Sequence, residues 1–114
     1  LFLFKKCSID DRSQENFRRD RSIGNHLYVE TYCVFGQGAF GTDLVSDWLT
    51  DKSNFRIYIG TYDEGRGGFR LECKDSTVYV RECLYDDNDH FIKESLVDVY
   101  NIAGLKKLQN FKDN

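Results

Sequence analysis

Leu27-Tyr28-Val29-Glu30-Thr31-Tyr32-Cys33-Val34-Phe35 decides the fold class. Leu27, Val29, Thr31, Cys33 and Phe35 alternate with Tyr28, Glu30, Tyr32 and Val34. A period of two carried by β-branched and aromatic residues marks a strand with one buried face. Gly36-Gln37-Gly38-Ala39-Phe40-Gly41 ends it. The same period returns downstream. Phe55, Ile57 and Ile59 alternate with Arg56, Tyr58 and Gly60, and Phe69, Leu71 and Cys73 make the next inward set. Lys74-Asp75-Ser76-Thr77 closes a hairpin, and Val78 and Val80 begin the returning strand. Residues 91–100 read as a further strand with weaker alternation.

Between these strands lie turns at residues 51–54, 63–68 and 86–89, rich in Gly, Asp and Asn. Residues 43–50 fit two patterns. Leu44, Val45, Trp48 and Leu49 suit a short helix, whereas Leu44, Ser46 and Trp48 suit a strand. Asn101 is placed to cap a short helix of Ile102, Ala103, Leu105 and Leu108, weakened by Gly104. The links are too short for repeated parallel crossovers. The expected fold is all-β, or β-rich α+β. It is an antiparallel six-stranded meander, half-barrel or sandwich-like, with a short C-terminal helix. Residues 1–25, polar and charged after the first four, are expected to form an N-terminal tether or arm, and residues 26–114 a single β-rich domain.

The 114 residues suffice for one core, not two. The net charge of −3 argues against a nucleic-acid partner, which favours a basic chain. No apolar run approaches the roughly 20 residues that span a bilayer as a helix. Leu1-Phe2-Leu3-Phe4, followed by Lys5-Lys6-Cys7, reads as the end of a signal or anchor segment or as an exposed terminus. Membrane association through this segment is one expectation, with Cys7 the candidate lipid attachment.

Several chemical motifs are decoys. Gly36, Gly38 and Gly41 match G-x-G-x-x-G, but a dinucleotide site needs a helix after the third glycine, and the next turn arrives too soon. No C-x-x-C occurs, so zinc and dithiol redox chemistry are not expected. Cys73 would face Val78 and Cys83 would face Gly68 across their hairpin, which points the sulfurs to opposite faces and argues for free thiols. His26 and His90 sit at strand ends without ligand spacing, and Asp86, Asp87 and Asp89 lack the glycine and distal glutamate of a calcium loop. No metal, no cofactor and no catalytic residue is expected, and the chain does not read as an enzyme.

The outward strand positions share a chemistry. Tyr28, Tyr32, Arg56, Tyr58, Tyr62, Arg70, Tyr79 and Arg81 fall on one side if the strands form one sheet. Tyr and Arg are enriched at protein-binding hot spots. They also serve as ordinary cross-strand packing.

Residues 48–63, from Trp48-Leu49-Thr50 to Thr61-Tyr62-Asp63, and the closing Tyr100-Asn101-Ile102-Ala103-Gly104-Leu105-Lys106-Lys107 carry a resemblance. The chain resembles, over about residues 27–112, small cell-envelope proteins of Bacteroidota, many of them predicted lipoproteins. The resemblance implies export and an envelope location, periplasmic or outer-membrane associated, and no activity. At Cys7 the chain departs from the lipoprotein pattern, because Phe4-Lys5-Lys6 stand where small residues precede an acylated cysteine. The leading expectation is therefore a non-enzymatic accessory or protein-interaction domain with an envelope partner. The alternatives are a small acidic immunity or inhibitor protein, or a small-ligand carrier lined by Trp48, Phe55 and Phe69. A cytoplasmic location is the alternative to the envelope.

Overall fold

The computed structural model describes residues 16–36, 43–86, 88 and 90–109. Among these described residues seven strands follow in order: β1 (Phe17–Gly24), β2 (Leu27–Phe35), β3 (Leu44–Thr50), β4 (Arg56–Asp63), β5 (Gly67–Lys74), β6 (Thr77–Tyr85) and β7 (Phe91–Asn101). Helix α1 (Ile102–Lys106) closes the order. Every pairing is antiparallel. Strands β1 to β4 form one sheet and β5 to β7 a second, each in sequence order. The meander therefore breaks once, between β4 and β5. The all-β class is as expected.

Strand β1 lies inside the segment expected to be an arm, and raises the strand number from six to seven. Its charged run hides it from periodicity. A tight turn pins it to β2: Asn25 and His26 have φ of 54° and 60°, the left-handed pair that a two-residue hairpin needs. The boundary drawn at residue 26 thus falls within a hairpin. Residues 44–50 take the strand option. That removes the helix that the glycine motif would need, although Gly38 and Gly41 themselves lie outside the described residues. So do Cys7, Asp87 and Asp89.

The β5–β6 hairpin has the register read from its turn, with Cys73 opposite Val78 and Gly68 opposite Cys83. Cys33, Cys73 and Cys83 are free thiols. The core lies between the sheets. Leu27, Val29, Leu49 and Phe55 meet Leu71, Val78, Val80 and Leu105 there, all nearly or fully buried. Burial of each such side chain contributes about 1.5–3 kcal/mol. Gly60 makes one of the contacts between sheets possible. A Cβ on it would stand 2.4 Å from the Phe69 ring, so only glycine lets that ring seat. The Asn101 side chain caps α1 by accepting from the Gly104 N–H at 3.1 Å, and α1 delivers Leu105 to the core. Leu108, expected on the helix, lies beyond it and is exposed.

Candidate interaction surface

The Tyr/Arg residues do not share one side. Tyr28, Tyr32, Arg56 and Tyr58 lie on the face of the first sheet turned from the core, beside Glu30 and Trp48. Most of that face is already satisfied internally. Tyr32 is buried, donates to Glu30 Oε1 at 3.2 Å and meets the Phe17 ring edge-on at 5.6 Å. Arg56 Nε donates to Glu30 Oε1 at 2.9 Å, and both side chains are close to fully buried. Trp48 is buried, with the Tyr58 ring edge-on at 5.3 Å. Lys52 sits 4.7 Å over the Tyr28 ring. Only Tyr58 of the four is exposed.

Tyr62 faces the opposite way. Trp48 pairs with Tyr58 but Asp47 pairs with Gly60, so β4 carries one extra residue at Ile59. That bulge turns Tyr62 to the core side, where its hydroxyl donates to Asp47 Oδ1 at 3.3 Å.

Arg70, Tyr79 and Arg81 lie on the outward face of the second sheet. Arg81 binds Glu72 at 3.0 Å and Glu94 at 3.5 Å, Arg70 binds Glu94, and the Arg81 guanidinium stands 5.6 Å from the Tyr79 ring centre. This charged lattice is flanked by an apolar row on β7. Leu96 stands opposite Arg81 and Val99 opposite Tyr79, so both share the lattice's face. A bulge at Val97 lets that side chain out as well. Phe91, Ile92, Leu96, Val97 and Val99 are each 48–58% exposed. The Tyr85 and Phe91 rings meet edge-on at 6.2 Å at one end.

The edges of the two sheets are treated differently. Strand β1 carries Arg18, Arg19 and Asp20, charges that blunt an edge against strand pairing. The free edge of β5 is covered by β1 and its turn. Arg21 donates to the Phe69 carbonyl at 3.2 Å, and Asn25 donates to the Asp75 carbonyl at 3.4 Å. Strand β7, 11 residues long, has no such cover among the described residues. The apolar row was missed in the sequence, where the weak alternation of residues 91–100 was its signal. Apolar residues at both parities of an edge strand leave some on the outer face.

Asp86 accepts from the backbone N–H groups of Asn88 and His90, both at 2.9 Å, and so orders a turn. No cluster of three metal-binding side chains occurs among the described residues, and no described helix is long and apolar enough to cross a membrane. In comparisons with known proteins, no family model, no curated protein and no solved structure matches the chain.

Proposed function

We propose that this chain is a non-enzymatic protein-interaction domain, and that β7 is the strand it offers to an extended segment of a partner protein. The carrying observation is the row from Phe91 to Val99, about half exposed along an edge without cover among the described residues. Unpaired backbone groups supply affinity in strand addition, and side chains beside them supply specificity. Contiguous exposed apolar surface of this kind is uncommon on a monomer and often marks a binding site. The Arg70–Glu94–Arg81–Glu72 lattice beside it would form the polar rim. The resemblance to envelope proteins favours a partner in the cell envelope.

The test is a paired capture from the source cells, with the wild-type chain and the Leu96→Lys, Val99→Lys variant as baits. A stoichiometric partner held by the first and lost by the second, at equal unfolding midpoints, is the expected result. A partner retained by both would remove β7 from the interface. Dimers in sedimentation that dissociate in the variant would replace the partner with a second copy.

A further inference from the structure

A cavity of about 380 Å³ opens between β1, the end of β4 and the start of β5. Its size falls in the range of small-ligand pockets, roughly 300–1,000 Å³. Trp48 and Phe55, expected to line such a site, lie elsewhere, and only Phe69 of that set borders it. The wall carries Arg19, Arg21 and Arg70 against one acid, Glu64. Over the lining residues alone the charge is positive, offset in part from behind by Glu94 on Arg70 and by the buried Asp47 near Arg19 and Arg21.

The three arginines are not equivalent. Arg19 is bound to Glu64 at 2.8 Å and Arg70 to Glu94. Arg21 is half-buried, and among the described residues its side chain makes one hydrogen bond, to the Phe69 carbonyl at 3.2 Å, and no ion pair. A guanidinium has five N–H donors. One held out of bulk water with most of them unspent is suited to a planar or tetrahedral anion.

The site is also held in place from behind. Asp47 is fully buried; its Oδ1 accepts from Thr31 at 2.7 Å and Tyr62 at 3.3 Å, while Oδ2 has no partner among the described residues. Burial raises its carboxyl above the ordinary carboxylate range, and its hydrogen bonds and the charges of Arg21 and Arg19 oppose that rise. Burial and the Asp47 charge push the Tyr62 phenol up to about 12, so it stays neutral. The Tyr62 ring is braced edge-on by Phe69 at 5.5 Å. Gly68 keeps the space beside the ring clear, since a Cβ there would lie 3.5 Å from the Tyr62 ring edge.

We propose that this cavity binds a small organic anion with a flat apolar body, its carboxylate or phosphate head on Arg21 and its body beside Tyr62. The inference does not rest on β7, so either can fail alone. The test is an amide NMR titration with benzoate and with phenyl phosphate, and with benzamide as the neutral counterpart. Saturable shifts at Gly67, Gly68 and Phe69 are expected with at least one anion, and the tighter of the two identifies the head group. Arg21→Gln should weaken that binding by roughly tenfold or more, with Arg21→Lys in between. Absence of saturation for both anions up to about 10 mM, equal binding of benzamide, or unchanged affinity in Arg21→Gln would each overturn the proposal. Should Arg21→Gln fail to fold, Gly68→Ala carries the test. Its methyl makes only an ordinary contact with Tyr62 but narrows the seat, so unchanged affinity there would also overturn it.

Discussion

Strands β3 and β7 are both apolar stretches of one chain, yet they meet opposite fates. From Val45 to Thr50 every residue of β3 is buried, while in β7 only Ser95 and Tyr100 reach even partial burial. Position in the sheet accounts for the contrast. Strand β3 is paired on both sides, by β2 and β4, whereas β7 ends its sheet. Apolar side chains on β3 therefore hold the fold together, and those on β7 remain available to another molecule. Substitutions of the same chemistry should accordingly cost stability in one strand and binding in the other.

The largest effect is expected at the centre of the buried strand. Leu49 is fully buried and packs with Val29 and Phe55. Leu49→Ala should lower the unfolding free energy by about 2–5 kcal/mol, the usual cost of lost contacts plus a cavity. Denaturant unfolding measures it. A loss below 1 kcal/mol (roughly, by the same scale) would mean that β3 is not the mechanical centre of the fold.

Next comes the far face of the same sheet. Arg56→Ala leaves Glu30 buried without its main partner, and one-sided removal of such a pair costs about 3–5 kcal/mol. Lys52 Nζ lies 4.0 Å from the second Glu30 oxygen and should hold the loss near the lower end, about 3 kcal/mol. This variant also separates two roles for Arg56. If it is structural, as its burial suggests, Arg56→Gln should fold weakly but bind any partner at full affinity once folded. Loss of binding with the fold intact would return Arg56 to the interaction surface.

Much of the β3 side of this comparison was hidden in the sequence, and for a physical reason. A strand buried on both faces loses the alternation that reveals strands, so residues 43–50 looked equally helical. Strand β1 was hidden for the opposite reason. Its core-side positions are Arg19, Arg21 and Ile23, and the partners that stabilise the two arginines, Glu64 and the Phe69 carbonyl, are distant in sequence. Strand β2 was legible from its alternation alone, and the β5–β6 hairpin because a short turn also pins its register. The Tyr/Arg surface was misassembled by two irregularities that single-strand periodicity cannot show. The break between β4 and β5 sends Arg70, Tyr79 and Arg81 to another sheet, and the bulge at Ile59 inverts Tyr62.

A smaller effect is expected at the turn leaving β3, with a defined pH dependence. Burial alone would raise the Asp51 carboxyl. Hydrogen bonds from the backbone N–H groups of Ser53, Asn54 and Phe55, and from the Asn54 side chain, outweigh it and lower the group to about 2. A carboxylate lowered in the folded state stabilises it above the ordinary carboxylate range, and that contribution fades as pH falls towards 2. Asp51→Ala should therefore cost about 1–2 kcal/mol at pH 7, discounted for the turn's partial exposure, and progressively less below about pH 4. Unfolding curves of both proteins across this range test the sign. A difference that does not shrink in acid would show that Asp51 acts through packing and not through its charge.

The smallest effect on stability is expected on β7, and it is the sharpest test of the contrast. Leu96 is 53% exposed and lies opposite Arg81 on the outward face. Replacing it with lysine removes few contacts and opens no cavity, so the unfolding free energy should change by no more than about 0.5 kcal/mol. Lysine on an edge strand also opposes strand addition, because pairing would bring its charge against the incoming segment. Binding should then fall by far more than stability does, the reverse of what Leu49→Ala produces. A Leu96→Lys variant destabilised as much as Leu49→Ala would mean that β7 is covered in solution by part of this chain. The exposed row would then be part of the fold's own packing, and the contrast with β3 would disappear.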